Sequence, residues 1–250
     1  MKRERIDKLL VSQGFADSRT KAQALVMSGV VLVNDQRISK PSQEFFSTDT
    51  IRIKGKVDEI KYVSRGGLKL EKALQEFQIC SAKYVCLDVG ASTGGFTDCL
   101  LQNGAKKVVT VDVGTNQLVW KLRNDPRIEV HEKINARYLK PEDFSEKFDL
   151  IVMDVSFISV TKILPALRDL LAENGKIIVL IKPQFEVGKG EVGKGGIVKD
   201  EAKHAEVIEK VNSFAAEIGL KNLGLIDSPI LGADGNKEFL GLYEKAEACV

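Results

Sequence analysis

Apolar positions near the start of the chain repeat twice at helical spacing. Ile6, Leu9 and Leu10 share one face and Gly14 stops the pattern, while Ser18 can cap a second helix through Ala22, Leu25 and Val26 that Gly29 ends. Residues 30–33 then read as a strand closed by the turn formers Asn34 and Asp35, with 50–53 as its partner. A compact unit of two short helices and a small sheet is predicted. From residue 83 onward the pattern changes. Short β-branched runs at 85–88, 107–112, 128–132, 148–154, 175–181, 223–227 and 238–243 alternate with helical patterns. Residues 160–171 carry Ile163, Leu164, Leu167, Leu170 and Leu171 as one amphipathic helix, and 203–218 gives another. This alternation predicts an α/β fold with a doubly wound, mostly parallel sheet. The short loop between the last two strands predicts an antiparallel hairpin at its edge.

Composition adds little to the fold but narrows the function. The 250 residues suffice for one large domain and a small module, and 44% hydrophobic with 29% charged residues fits a soluble chain with a sizeable core. The most apolar runs, such as 177–181, are strand length, far short of the roughly 18 residues a membrane span needs. The basic start leads into an amphipathic stretch broken by Asp7 and Lys8, so no secretory leader is predicted and the expected location is the cytoplasm. Cys80, Cys86, Cys99 and Cys249 lack C-x-x-C spacing and His131 and His204 lie apart, which predicts neither a metal site nor a disulfide framework. Three of the cysteines fall in apolar surroundings and read as buried thiols. Charge is uneven: residues 1–64 hold 12 Lys/Arg against 8 Asp/Glu, and the remainder 25 against 27. A basic N-terminus suits nucleic acid, and equally a solvated surface.

The first strand of the larger region delivers Asp88-Val89-Gly90-Ala91-Ser92-Thr93-Gly94-Gly95-Phe96, a glycine-rich turn before a helix where backbone can approach a ligand closely. Asp112 ends the second strand, placed to accept both hydroxyls of an adenosine ribose. The turn reads G-x-x-x-G-G, not the G-x-G-x-x-G that seats a pyrophosphate, which disfavours NAD and favours S-adenosylmethionine. Residues 188–195 nearly spell a phosphate-binding loop, but Gly195 cannot supply the required hydroxyl. Residues 184–199 read as a glycine-rich basic loop beside the site, either a lid or RNA clamp or a plain surface loop. Four ionisable residues complete the picture: Lys69, Asp154, Lys182 and Glu238, of which Asp154 and Lys182 end apolar strands where an open sheet lines its ligand crevice.

Two resemblances follow. Arg5-Ile6-Asp7, Leu10-Val11, Gly14, Ser18-Arg19, Ala22, Gly29-Val30-Val31-Leu32-Val33-Asn34, Lys40-Pro41 and Asp49 resemble an S4 RNA-binding domain over about the first 55 residues. That resemblance implies contact with structured RNA through Arg5, Lys8, Arg19 and Lys21, phosphate contacts that place the protein without reading sequence. Lys69, Asp154, Lys182 and Glu238 resemble the catalytic tetrad of FtsJ-type ribose 2′-O-methyltransferases. Together with the S4 module, Ser156-Phe157-Ile158-Ser159 and Lys182-Pro183-Gln184-Phe185-Glu186-Val187-Gly188, the chain resembles the TlyA family along nearly its whole length.

The family resemblance implies a Rossmann-like methyltransferase sheet behind an S4 domain, divided as 1–58, a linker at 59–64 and 65–250. It implies S-adenosylmethionine contacts from Asp88, Gly90 through Phe96, Asp112, Asn135 and Asp154, with Arg65 added to the RNA contacts. The activity implied is 2′-O-methylation of a cytidine in ribosomal RNA, with the large subunit favoured because the chain ends soon after Glu238. Where relatives often carry Arg-x-Trp-Val in the linker, this chain reads Ile60-Lys61-Tyr62-Val63. In this reading Lys182 accepts the proton of the 2′-hydroxyl, Asp154 orients it, and Lys69 and Glu238 fix geometry. The neutral amine this requires is favoured by burial or a nearby cation and opposed by an adjacent carboxylate, a balance the sequence leaves open. The competing classes are an S4-bearing pseudouridine synthase, a membrane-active hemolysin and a non-catalytic RNA-binding assembly factor.

Overall fold

A computed structural model describes residues 3–16, 18–54, 61–188, 190–232 and 235–246, and the chain divides into two compact units, 1–67 and 68–250. Cys249 and the first two residues of the predicted linker, 59 and 60, lie outside the described residues.

In the first unit β1 (Arg3–Arg5) leads into α1 (Ile6–Ser12), and α2 (Arg19–Met27) follows, its first turn capped by Ser18, whose hydroxyl accepts the Lys21 N–H. Then come β2 (Val31–Val33), β3 (Gln36–Arg37), β4 (Glu44–Phe46) and β5 (Ile51–Ile53). The predicted pairing is present: β2 and β5 run antiparallel with Val31 opposite Ile53, and β3 flanks β2 on its other side. A second ribbon of β1 with β4 had no periodic signal, because two three-residue strands carry too few positions to show alternation. Ile6, Leu9, Leu10, Ala22, Leu25, Val26 and Val31 fill the core of this unit.

Next comes α3 (Gly66–Glu76), a helix not among the predicted elements although Leu70, Ala73, Leu74 and Phe77 stand at helical spacing. The order continues β6 (Val85–Val89), α4 (Gly95–Gln102), β7 (Lys107–Asp112), α5 (Trp120–Arg123), β8 (Ile128–Glu132) and β9 (Phe148–Met153). After it come α6 (Leu164–Leu170), β10 (Leu171–Ile181), α7 (Pro183–Glu186), α8 (Glu201–Glu217), β11 (Leu220–Asp227) and β12 (Phe239–Lys245). Seven strands form one sheet in the order β11-β12-β10-β9-β6-β7-β8. The pairs from β10 to β8 are parallel, and β12 lies antiparallel between β10 and β11, so the predicted edge hairpin is present. The central strands are buried on both faces, which is why they read as continuous apolar runs instead of alternating ones.

The predicted single helix at 160–171 is divided. A 3-10 turn at Val160–Lys162 precedes α6, and Leu171 already belongs to β10. Pro165 opens α6, where its missing N–H is harmless, and its ring cannot continue a helix entering from 160–162. Cys86 and Cys99 are buried as predicted, and burial pushes the Cys86 thiol up to about 12, whereas Cys80 is exposed beyond the end of α3. Among the described residues no helix is long and apolar enough to cross a membrane.

Candidate active site

The chain runs from β6 outward through β7 to β8, then returns to β9 on the other side of β6. The carboxyl ends of β6 and β9 therefore flank a switch point, where open sheets leave a ligand crevice. A cavity of about 530 Å³ lies there, lined by Gly90, Ser92, Asp112, Asn135, Asp154 and Ser156 among others. That size is within the roughly 300–1,000 Å³ of small-molecule sites.

Two glycines make the turn after β6 possible. Gly90 has φ +83°, and a Cβ there would stand 2.3 Å from the Asp154 carbonyl oxygen; Gly94 has φ +98°, and a Cβ there would stand 2.3 Å from Leu122. Any side chain at either position meets both a disfavoured backbone region and a clash. Asp112 receives the Ser92 N–H at 2.9 Å and the Gly114 N–H at 2.7 Å, which orients its carboxylate at the cavity wall. A carboxylate has about four acceptor sites, so lone pairs remain for ribose hydroxyls. Of the residues predicted to hold the cofactor, Gly90, Ser92, Asp112, Asn135 and Asp154 line the cavity, while Asp88, Ala91, Gly94, Gly95 and Phe96 are buried and Thr93 is half-buried.

Asp88 is fully buried. The Thr97 hydroxyl donates to its Oδ2 at 2.5 Å, and its Oδ1 has no hydrogen-bond partner among the described residues. Burial pushes its carboxyl up to about 7 against the Thr97 hydrogen bond, and the neighbouring Asp154 and Asp112 push in the same direction as burial. Asp112 and Asp154 thus stand at the cavity with Asp88 buried near enough to feel both charges, and a cationic ligand relieves their mutual repulsion. S-adenosylmethionine, with a sulfonium and an ammonium against one carboxylate, fits that demand, and Asp112, Asn135 and the Gly90 turn would hold it.

Two ion pairs stand at adjacent strand ends. Lys182 Nζ lies 2.6 Å from Asp154 Oδ1 and donates to Ser156 Oγ at 2.9 Å. Lys69, reaching in from α3, donates to Glu238 Oε2 at 2.5 Å, and both are buried. The register explains the juxtaposition. Val179 pairs with Met153 and Ile181 with Phe239, so the strand ends bring the segments of Ser156, Lys182 and Glu238 alongside one another. Ser156 had no assigned role in the sequence; its position two residues past Asp154 at a strand end was the available signal. Phe157 follows it at φ +65°, is 91% exposed, and its ring lies 5.2 Å from that of Phe185.

Asn236 ties the glycine-rich loop to this region, donating to the Gly196 carbonyl at 3.0 Å and accepting the Val198 N–H at 3.1 Å. In the first unit Arg5 and Arg19 both engage Asp7, at 2.9 and 3.0 Å, while Lys8 and Lys21 are exposed. Arg65 lies beside Gly29, where a Cβ would approach its Cδ to 3.7 Å.

Residues 62–245 match the FtsJ-like methyltransferase model and residues 4–51 the S4 domain model. The chain belongs to the FtsJ-like methyltransferase family. Within the family it is 44% identical to the 16S/23S rRNA (cytidine-2′-O)-methyltransferase TlyA of Mycobacterium tuberculosis H37Rv, over 95% of this chain and 88% of that one. It is 37% identical to the 23S rRNA (cytidine-2′-O)-methyltransferase TlyA of Campylobacter jejuni, over 94% and 97% of the two chains. A solved structure from Streptococcus thermophilus that carries a hemolysin name superposes with a TM-score of 0.78 at 46% identity, covering 99% of this chain and 90% of that one. The S4 and FtsJ-like assignments agree with the two-part organisation read from the sequence.

Proposed function

We propose that this protein transfers the methyl group of S-adenosylmethionine to the 2′-oxygen of a cytidine ribose in ribosomal RNA, with the large subunit as its target and the cytoplasm as its place of work. The observation that carries the reading is the contact of Lys182 with Asp154, which lines a cavity walled by Asp112 and Gly90, together with the buried Lys69–Glu238 pair at the neighbouring strand end. When bound, the cofactor supplies a methyl group already activated on a sulfonium.

The protein's work is then directed at the hydroxyl. In its neutral form Lys182 has two N–H donors, which Asp154 and Ser156 would take, leaving the amine lone pair for the proton of a ribose hydroxyl. That amine would accept the 2′-proton as the oxygen gains the methyl group and the methyl–sulfur bond is given up, and Asp154, partly open to solvent, holds the amine in place and gives its proton a way out. Lys69 and Glu238 are too deeply buried to move freely and hold the floor of the site. Positioning of this kind contributes at the scale of about 7–11 kcal/mol in well-oriented reactions. Phe157 presents an exposed aromatic face at the cavity, a surface on which an unstacked base can rest. Arg5, Lys8, Arg19, Lys21 and Arg65 supply phosphate contacts.

The test is mass spectrometry of ribosomal RNA from cells with and without the gene. One ribose-methylated cytidine in large-subunit RNA should vanish in the deletion and return on complementation. An unchanged set of ribose methyl groups would sink the reading.

A further inference from the structure

Glu186 takes no part in the chemistry above, yet it is among the most buried charged residues of the protein, 2% exposed. It ends α7, one turn after Lys182, and both its carboxylate oxygens are spent on the segment that follows β9. Oε2 accepts the Ser159 hydroxyl at 2.6 Å and Oε1 accepts the Val160 N–H at 2.8 Å, while Lys210 of α8 donates to its main-chain oxygen at 2.7 Å. The segment it grips, 156–160, begins with the serine that contacts Lys182 and contains Phe157 in the left-handed region. A strained aromatic backbone position persists only where neighbouring contacts over-determine it. The Glu186 bonds on one side and the Phe157–Phe185 ring contact on the other do that.

We propose that Glu186 is a positioning residue: it clamps the 156–160 turn to the Lys182 strand end, and so keeps Ser156 Oγ and Lys182 Nζ in contact at the working geometry. The inference rests on the role given to Lys182 above. The carboxylate is held there at a cost, since burial raises its pKa above the ordinary glutamate value against the opposing bonds from Ser159 and Val160 and the charge of Lys210. A side chain needed only for packing would be apolar at this position. A bidentate acceptor is what the geometry uses: one oxygen fixes a hydroxyl, the other a backbone amide, and the two partners are consecutive residues.

The experiment measures single-turnover methyl transfer to large ribosomal subunits taken from a strain lacking the gene, with cofactor affinity by calorimetry and amide exchange by mass spectrometry. Glu186→Ala should slow transfer at least tenfold, leave cofactor affinity within about twofold, and speed exchange in the 156–160 segment while β9 and β10 stay protected. Glu186→Gln should recover most of the rate, because its amide oxygen can still accept the Val160 N–H and its NH₂ can donate to Ser159. Ser156→Ala combined with Glu186→Ala should be no slower than the slower single variant, since both act through one contact. A wild-type rate in Glu186→Ala, unchanged exchange at 156–160, or multiplying effects in the double variant would each overturn the proposal. If Glu186→Ala loses core protection, Ser159→Ala, which keeps the Val160 clamp bond and removes the Ser159 clamp bond together with the Ser159–Thr161 cap, should still slow transfer about threefold; an unaffected rate there overturns it too. Absence of transfer by the wild type would instead defeat the functional reading, and the exchange result then judges the clamp alone.

Discussion

In the first unit one carboxylate, Asp7, sits beneath two arginines, whereas in the second each of two lysines has a carboxylate of its own. The burial is inverted as well. Asp7 is fully buried, while the Arg5 and Arg19 side chains are 34% and 52% exposed; Lys69, by contrast, is almost as hidden as Glu238, and Lys182 is more hidden than Asp154. A buried anion holding two half-exposed cations leaves net positive charge facing outward in a fixed arrangement. That is an arrangement for meeting phosphates. Paired and buried charges cancel at long range and act only at contact distance, where the local dielectric is low and geometry decides the outcome. The comparison separates affinity from chemistry within one chain.

The sharpest way to break this division is Lys182→Ala. Methyl transfer should fall at least about a thousandfold, at the scale of a lost acid–base group, while calorimetry finds cofactor affinity within about twofold of wild type. Equal loss of both would make Lys182 structural. Next comes Glu238→Ala, which leaves the Lys69 ammonium buried and unpaired. Chemical denaturation should show a loss of about 3–5 kcal/mol, and Lys69→Met with Glu238→Leu should regain most of it. Full stability in the single variant would remove Lys69–Glu238 from the floor of the site.

A smaller effect compares the two buried carboxylates through pH. At Asp7 burial pushes the carboxyl up, but hydrogen bonds from Arg5, Gln23 and Arg19 outweigh it and hold the group well below its ordinary 3.8. Asp88 is pushed up to about 7 from the same starting value. Asp7 therefore contributes stability above about pH 4 that is lost as pH falls through its folded value. The contribution of Asp88 is full below about pH 4 and is lost as pH rises through about 7. Segment-resolved amide exchange should show protection of α1 rising with pH up to about 4 and protection of β6 falling between about pH 4 and 7, each by at most about 1.4 kcal/mol per pH unit. Asp7→Asn and Asp88→Asn should flatten their own slopes alone. Parallel slopes would contradict the comparison. The smallest change is expected from Arg19→Ala, which should reduce the slope of log affinity against log salt by about 1 and affect RNA affinity more than single-turnover rate.

How much of this was legible beforehand varies by element. The glycine turn, Asp112 and the strand ends at Asp154 and Lys182 are local patterns, and the structure places them at one switch point. Helix α3 was missed although Leu70, Ala73, Leu74 and Phe77 repeat at helical spacing; what no local pattern shows is that its Lys69 pairs with Glu238 near the other end of the chain. The 160–171 helix looked continuous because Ile163, Leu164, Leu167 and Leu170 are all buried. Periodicity reports that burial and does not register the break before α6 or the early start of β10. Ser156 and Glu186 stand in stretches that carry the family resemblance, and Ser156 lies two residues past Asp154, but neither has a legible role until its partner is known.

The sequence by itself determined the local items: where most of the strands and helices form, which residues can adopt left-handed turns, the Ser18 cap, and the four ionisable side chains available for chemistry. Only the tertiary structure decided which lysine meets which carboxylate, that Asp7 gathers Arg5 and Arg19, and that Glu186 grips the turn beside Lys182. The physical reason is that helical and strand periodicities are set by bonds a few residues apart. The lysine–carboxylate pairs and the clamp depend on strand order and register, which bring together positions far apart along the chain.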